Sequence, residues 1–83
     1  MNVTLKLYAG LSDYLPSGSR ENRVEIDVGE DETVAAVIER HRLPQKLVHL
    51  VLVNGRYVTP ADRPTTRLKP ADQLAIWPPI AGG

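Results

Sequence analysis

Cysteine is absent from this chain of 83 residues. Its absence excludes disulfides, thiolate-bound zinc and a cysteine nucleophile. It also suits a reducing compartment, and a cytoplasmic location is expected. No stretch approaches the roughly 18 consecutive apolar residues that cross a bilayer. The start, MNVTLKLYAG, lacks a basic segment followed by a long apolar run, so no secretory signal is expected. Neither sign of charge is in excess, since ten Lys and Arg balance ten Asp and Glu. That balance argues against a dedicated nucleic-acid binder. Phenylalanine is missing too, and Trp77 is the single tryptophan.

The balanced total conceals a division. Residues 1–39 carry eight acids against three bases, and residues 40–83 carry two against seven. These charges read either as solvated faces or as two surfaces offered to different partners. In the basic half the only aromatics are Tyr57 and Trp77. A single-strand binder needs a run of stacking platforms along its groove, so no nucleic-acid partner is expected, and no membrane partner either. A domain of this size buries about 60% of its unfolded surface. It has no room for an enclosed substrate cavity with walls.

Periodicity supplies the elements. Val3, Leu5 and Leu7 alternate with Thr4, Lys6 and Tyr8, and Val24, Ile26 and Val28 alternate with Arg23, Glu25 and Asp27. Both segments read as half-buried strands. Between them, residues 12–22 are rich in turn formers and read as a loop. Val34, Val37, Ile38 and His41 form one helical stripe, with Thr33 or Asp31 as cap. Glu30, Asp31 and Glu32 gather where a helix dipole favours acids, and Pro44 should stop the helix around residues 41–43. Leu50–Val53, Asn54-Gly55 and Arg56–Val58 predict a hairpin with a type I′ turn. Residues 59–72 read as loop, with Leu68 turned inward. Gln73–Trp77 is a last strand with Leu74 and Ile76 on the core side.

One helix can cover one face of a four- or five-stranded sheet, so the fold class is α+β with a face left over. Trp77 falls in phase with Gln73 and Ala75, away from the core set. The uncovered face therefore carries Trp77 with either Val51 and Val53 or Leu50 and Leu52. We assign the docking surface to Trp77, Val51 and Val53.

Few side chains suggest chemistry. His41 and His49 have no second ligand at metal spacing, and Ser12, Ser17 and Ser19 lack a strained elbow. The acids at 25–32 do not follow the pattern of a calcium loop. Gly10, Gly18, Gly29 and Gly55 stand apart, so no phosphate-cradling loop is formed. What remains is the ending, Trp77-Pro78-Pro79-Ile80-Ala81-Gly82-Gly83. Two prolines favour an extended path, and six residues reach about 20 Å. The final glycines have no side chains and fit a narrow channel. A terminal carboxylate, with a pKa of about 3.5, is anionic at neutral pH. It can attack the α-phosphate of ATP in a partner enzyme and become an acyl-adenylate.

The strand-strand-helix order, the VNGRYV hairpin, the segment LKPADQLAIWPPIAGG and the start LKLYAGLSDYL resemble the ThiS/MoaD-type sulfur carriers. Within that family the Pro-Pro, spacer, Gly-Gly ending most resembles the small subunit of molybdopterin synthase. The resemblance implies a ubiquitin-like β-grasp domain over residues 1–77, with the last strand parallel to the first, and a tail over 78–83. It implies a carrier that is not itself an enzyme and binds no cofactor, the ATP being used by an adenylating enzyme related to ubiquitin activators. Gly83 would carry the sulfur as a thiocarboxylate, with Gly82 keeping the approach narrow. Pro78, Pro79, Ile80 and Ala81 would form the stalk. The other implied partners are a persulfide sulfur donor and the large synthase subunit, where a pterin precursor receives the sulfur. Delivery to thiazole or cysteine synthesis, attachment to target lysines through Gly83, and an interaction domain with an incidental Gly-Gly are the alternatives.

Overall fold

The computed structural model describes residues 1–79. Strand β1 (Asn2–Leu7) is followed by a 3-10 helix, Ala9–Tyr14, and by β2 (Arg23–Asp27). Helix α1 (Val34–Arg40) and a short 3-10 turn lead to β3 (Leu50–Val53) and β4 (Arg56–Tyr57). A further 3-10 turn, Pro60–Asp62, precedes β5 (Gln73–Trp77). The five strands form one mixed sheet in the order β2-β1-β5-β3-β4. β1 and β5 lie parallel at its centre, and the other neighbours are antiparallel. This is the α+β architecture expected from the sequence, a ubiquitin-like β-grasp.

Alternation sorts the side chains. Val3, Leu5 and Leu7 of β1 and Leu74 and Ile76 of β5 are at most 1% exposed. They form one core with Val34, Val37 and Ile38 of α1 and with Leu11, Leu43, Val58 and Leu68. The reading of residues 12–22 as loop is corrected at its start, where residues 12–14 complete the 3-10 helix Ala9–Tyr14; that turn carries Leu11, just before the loop, into the core. Burial of one leucine, about 2 kcal/mol, outweighs the turn-forming composition around it.

Thr33 is the cap of α1; its Oγ1 accepts from the Ala36 N–H at 3.1 Å. The acids predicted for the first turn lie before the cap. Glu32 instead accepts from the Gly29 N–H at 3.0 Å and pairs with Arg40 at 3.4 Å. The loop before β5 satisfies helix donors that would otherwise be orphans: Val34 N–H donates to Thr66 and Ala35 N–H to Arg63. The helix ends with His41, whose Nδ1 lies 3.0 Å from the Val37 carbonyl.

Asn54 and Gly55 adopt φ of 51° and 83°, the left-handed pair that a type I′ turn requires. Asn54 does a second job. Its Nδ2 donates to Asp72 at 2.8 Å and its Oδ1 accepts from the Gln73 N–H at 2.9 Å. Asp72 is buried and also accepts from the Lys69 N–H at 2.8 Å. The hairpin tip is thereby tied to the turn that launches β5. Asn54→Ala is expected to lower stability by about 2 kcal/mol, since it removes both hydrogen bonds and strains a positive φ. Asn54→Gly, which keeps the turn, is expected to cost about half of that in urea unfolding.

Candidate functional site

Each strand presents alternate residues to the face that α1 leaves open. The register between β3 and β5 decides which. Leu50 pairs with Trp77 and Leu52 with Ala75, while Val51 pairs with Ile76 and Val53 with Leu74. Directly paired residues share a face. Val51, fully buried, and Val53, half-buried, therefore belong to the core side with Leu74 and Ile76. The docking set of Trp77, Val51 and Val53 needs this correction: Trp77 is on the open face, and its companions are Leu50 and Leu52. Among four consecutive apolar residues the phase cannot be read locally; pairing across to Trp77 supplies it.

The open face is divided. Toward β3 and β4 it is apolar: Tyr8, Trp77, Leu50, Leu52 and Ala75, with Tyr57 opposite Leu52. Leu50 is 36% exposed and Tyr57 57%. Toward β2 it is charged, with Lys6 donating to Gln73 at 2.9 Å and Arg23, Glu25 and Asp27 beyond. The Asp27 carboxyl is held below its ordinary pKa, first by a hydrogen bond from the Met1 amino group and then by that group's charge.

Tyr8 was not among the predicted site residues, although it follows directly in phase after Lys6. Its ring stacks on Trp77 at 4.1 Å between centroids, with the planes 4° apart. Backbone bonds hold both rings: the Tyr8 N–H donates to Ile76, and the His49 N–H donates to Trp77. The stack stands where β5 gives way to Pro78, which is half-buried, and Pro79, which is exposed. The predicted tail residues Ile80, Ala81, Gly82 and Gly83 lie outside the described residues.

A partner cannot readily add a strand to the β2 edge. Arg23 already exchanges two backbone bonds with Arg20. The Asp27 carbonyl accepts from Arg40 at 3.0 Å. The other edge strand, β4, is two residues long, so the flat aromatic face offers the larger apolar surface. Among the described residues, no cluster of three or more His, Asp or Glu is placed to hold a metal ion.

The ThiS family model matches residues 11–83. The chain belongs to the ThiS family. As a ThiS-family protein it is a sulfur carrier or ubiquitin-like protein, and membership implies interaction with an activating enzyme. Its fold is that of SAMP1 from Haloferax volcanii, with 27% identity, all of both chains covered and a TM-score of 0.68. The Haloferax volcanii HVO 2177 protein is 27% identical, with all of this chain and 87% of that one covered and a TM-score of 0.77. A second structure of the H. volcanii small archaeal modifier protein 1 shares the fold at 24% identity, with 95% of this chain and 98% of that one covered and a TM-score of 0.65. No curated protein matches the chain. No described helix is long and apolar enough to cross a membrane.

The corrected phase has a direct test. Val51→Ala is expected to cost about 2 kcal/mol of stability and Leu50→Ala less than about 1 kcal/mol. Tyr8→Leu should change the Trp77 fluorescence and near-ultraviolet dichroism while leaving the fold intact, at a cost of about 1 kcal/mol for the lost stack.

Proposed function

We propose that this chain is a sulfur carrier that works through the carboxyl group of Gly83. A partner adenylating enzyme, related to ubiquitin activators, docks on the open aromatic face. The Gly83 carboxylate attacks the α-phosphate of ATP in that enzyme and pyrophosphate leaves. The terminal sulfur of a persulfide protein then displaces AMP, and a thiol cleaves the acyl disulfide to leave a thiocarboxylate. Because the reactive group is the chain's own last carboxyl, the carrier needs no acid, base or metal of its own. It needs a slender tip and a surface by which an enzyme holds the base of the tail.

The observation that carries this reading is that the family match runs through to Gly83. Pro78 and Pro79 support it, since the described part of the ending leaves the sheet beside the Tyr8–Trp77 stack. For the acceptor, the Trp-Pro-Pro lead into Ile-Ala-Gly-Gly favours a pterin precursor on the way to molybdopterin or tungstopterin, held by a large synthase subunit. A second reading has a specific observation behind it. The similar structures include a protein named as a small archaeal modifier, and the same activated Gly83 can be passed to a lysine amine. Sulfur delivery to thiazole or cysteine synthesis uses the same thiocarboxylate.

Intact mass separates sulfur carriage from conjugation to a lysine amine. Protein isolated from its own cells is expected to carry a species about 16 Da heavier, the difference between sulfur and oxygen at one atom. Conjugation would appear as heavier bands that vanish when Gly83 is deleted. Extension by one alanine is expected to abolish the heavier species; if it persists, the carrier reading fails. Leu50→Asp and Tyr57→Asp are expected to weaken binding to the adenylating enzyme at least about tenfold, equivalent to about 1.4 kcal/mol. Neither should change the fold, because both side chains are exposed.

A further inference from the structure

On the helix side of the sheet, away from the aromatic face, the side chain of Arg63 is drawn into the protein. Arg63 is 8% exposed. Its Nη2 donates to the His49 carbonyl at 3.3 Å, a long hydrogen bond. Its Nε is buried and, among the described residues, has no hydrogen-bond partner. Among the described residues no carboxylate pairs with it. A guanidinium stays charged at any ordinary pH, and burying a cation without a counter-charge is costly. Arginines in such positions are normally met by a carboxylate in a two-point fork.

Next to Arg63 lies a cavity of about 160 Å³ lined by Ala35, Ile38, Gln45, Pro60, Arg63 and Pro64. Of the lining side chains, those of Ala35, Ile38, Pro60 and Pro64 are aliphatic, and those of Gln45 and Arg63 are polar. We propose that this cleft binds a carboxylate on a short aliphatic stem, which Arg63 meets with the edge of its guanidinium that His49 does not use. The stem packs on Ala35, Ile38 and the two prolines, and the Gln45 amide is the one further side-chain donor among the lining residues. Two sources present this chemistry: a free short-chain carboxylic acid, and a glutamate side chain of a protein partner. The cleft is joined to the base of the tail through one residue, His49. The carbonyl of His49 accepts from Arg63, and the N–H of the same residue donates to Trp77 at 3.1 Å. A carboxylate that draws on the guanidinium is therefore felt at His49.

The test is a nitrogen-detected titration of the full chain at constant ionic strength with butyrate, with butyramide as the neutral control. A second arm uses the peptide acetyl-Ala-Glu-Ala-amide against its glutamine counterpart. The expected result is a saturable shift of the Arg63 Nε–H signal and of the Ala35 and His49 amides, with a Kd on the order of 1 mM or tighter. Saturation by butyrate identifies a free acid as sufficient; a response to the glutamate peptide alone identifies a side chain. Both support the cleft as a carboxylate site. Absence of any saturable shift with either acid, or equal shifts with butyramide, overturns it.

Two variants locate the effect. Arg63→Lys is expected to weaken the response at least about tenfold, because a point charge replaces the fork. A response left at full strength in that variant overturns the role of Arg63. Arg63→Met is expected to abolish the response while leaving Tm unchanged or raised, because it removes an uncompensated buried charge. The wild-type titration decides the matter even if that variant folds poorly.

Discussion

The molecule depends on a sheet whose two middle strands come from the two ends of the described chain. β1 and β5 lie parallel, side by side, and every core side chain they contribute is sealed from water. Such a pairing is non-local, so its loop-closure cost must be met by burial and by the ties that fix β5 in place. The bracket from Asn54 to Asp72 and Gln73 is one such tie. The donation of Ala71 N–H to Asn2 and of Thr4 N–H to Asp72 is another. With β5 held in this way, the point at which the chain leaves the sheet, beside Tyr8, is fixed as well.

A second consequence follows from having one helix for five strands. α1 is seven residues long and covers one face. The other face must be polar, or be covered by something else. Here both solutions occur side by side: charged residues on β2 and β1, apolar and aromatic residues on β5, β3 and β4. The apolar half adjoins the base of the tail. In the proposed function, a partner that grips this half also holds Pro78 and Pro79, the described part of the ending. The β2 edge is blunted, since Arg20 and Arg40 already occupy backbone groups there.

Much of this was legible in the residues because the period-two and helical patterns are clean. A cap at Thr33 or Asp31, of which the structure uses Thr33, the end of α1 near His41, the Asn54-Gly55 turn, the inward Leu68 and the core phase of β5 all follow from local chemistry that tertiary contacts reinforce. Three features were not legible. Leu50–Val53 is apolar throughout, so its phase exists only relative to β5. The 3-10 turn from Ala9 to Tyr14 carries no periodic signal of its own, and Leu11 is placed only by the core that receives it. Arg63 sits among prolines and threonines, where nothing in the spacing signals that its guanidinium will be buried.

The sequence by itself determined which residues pair with water, where the helix begins and ends, where the hairpin turns, and that the ending joins two prolines to two glycines. Those are properties of single residues and of near neighbours, set by backbone dihedral preference and by side-chain polarity. Only the tertiary structure decided which half of β3 faces outward, that Tyr8 meets Trp77, and that Arg63 is enclosed with no counter-charge among the described residues. Each of these joins residues far apart in the chain, and their energy depends on the distance between groups, which the order of residues does not contain.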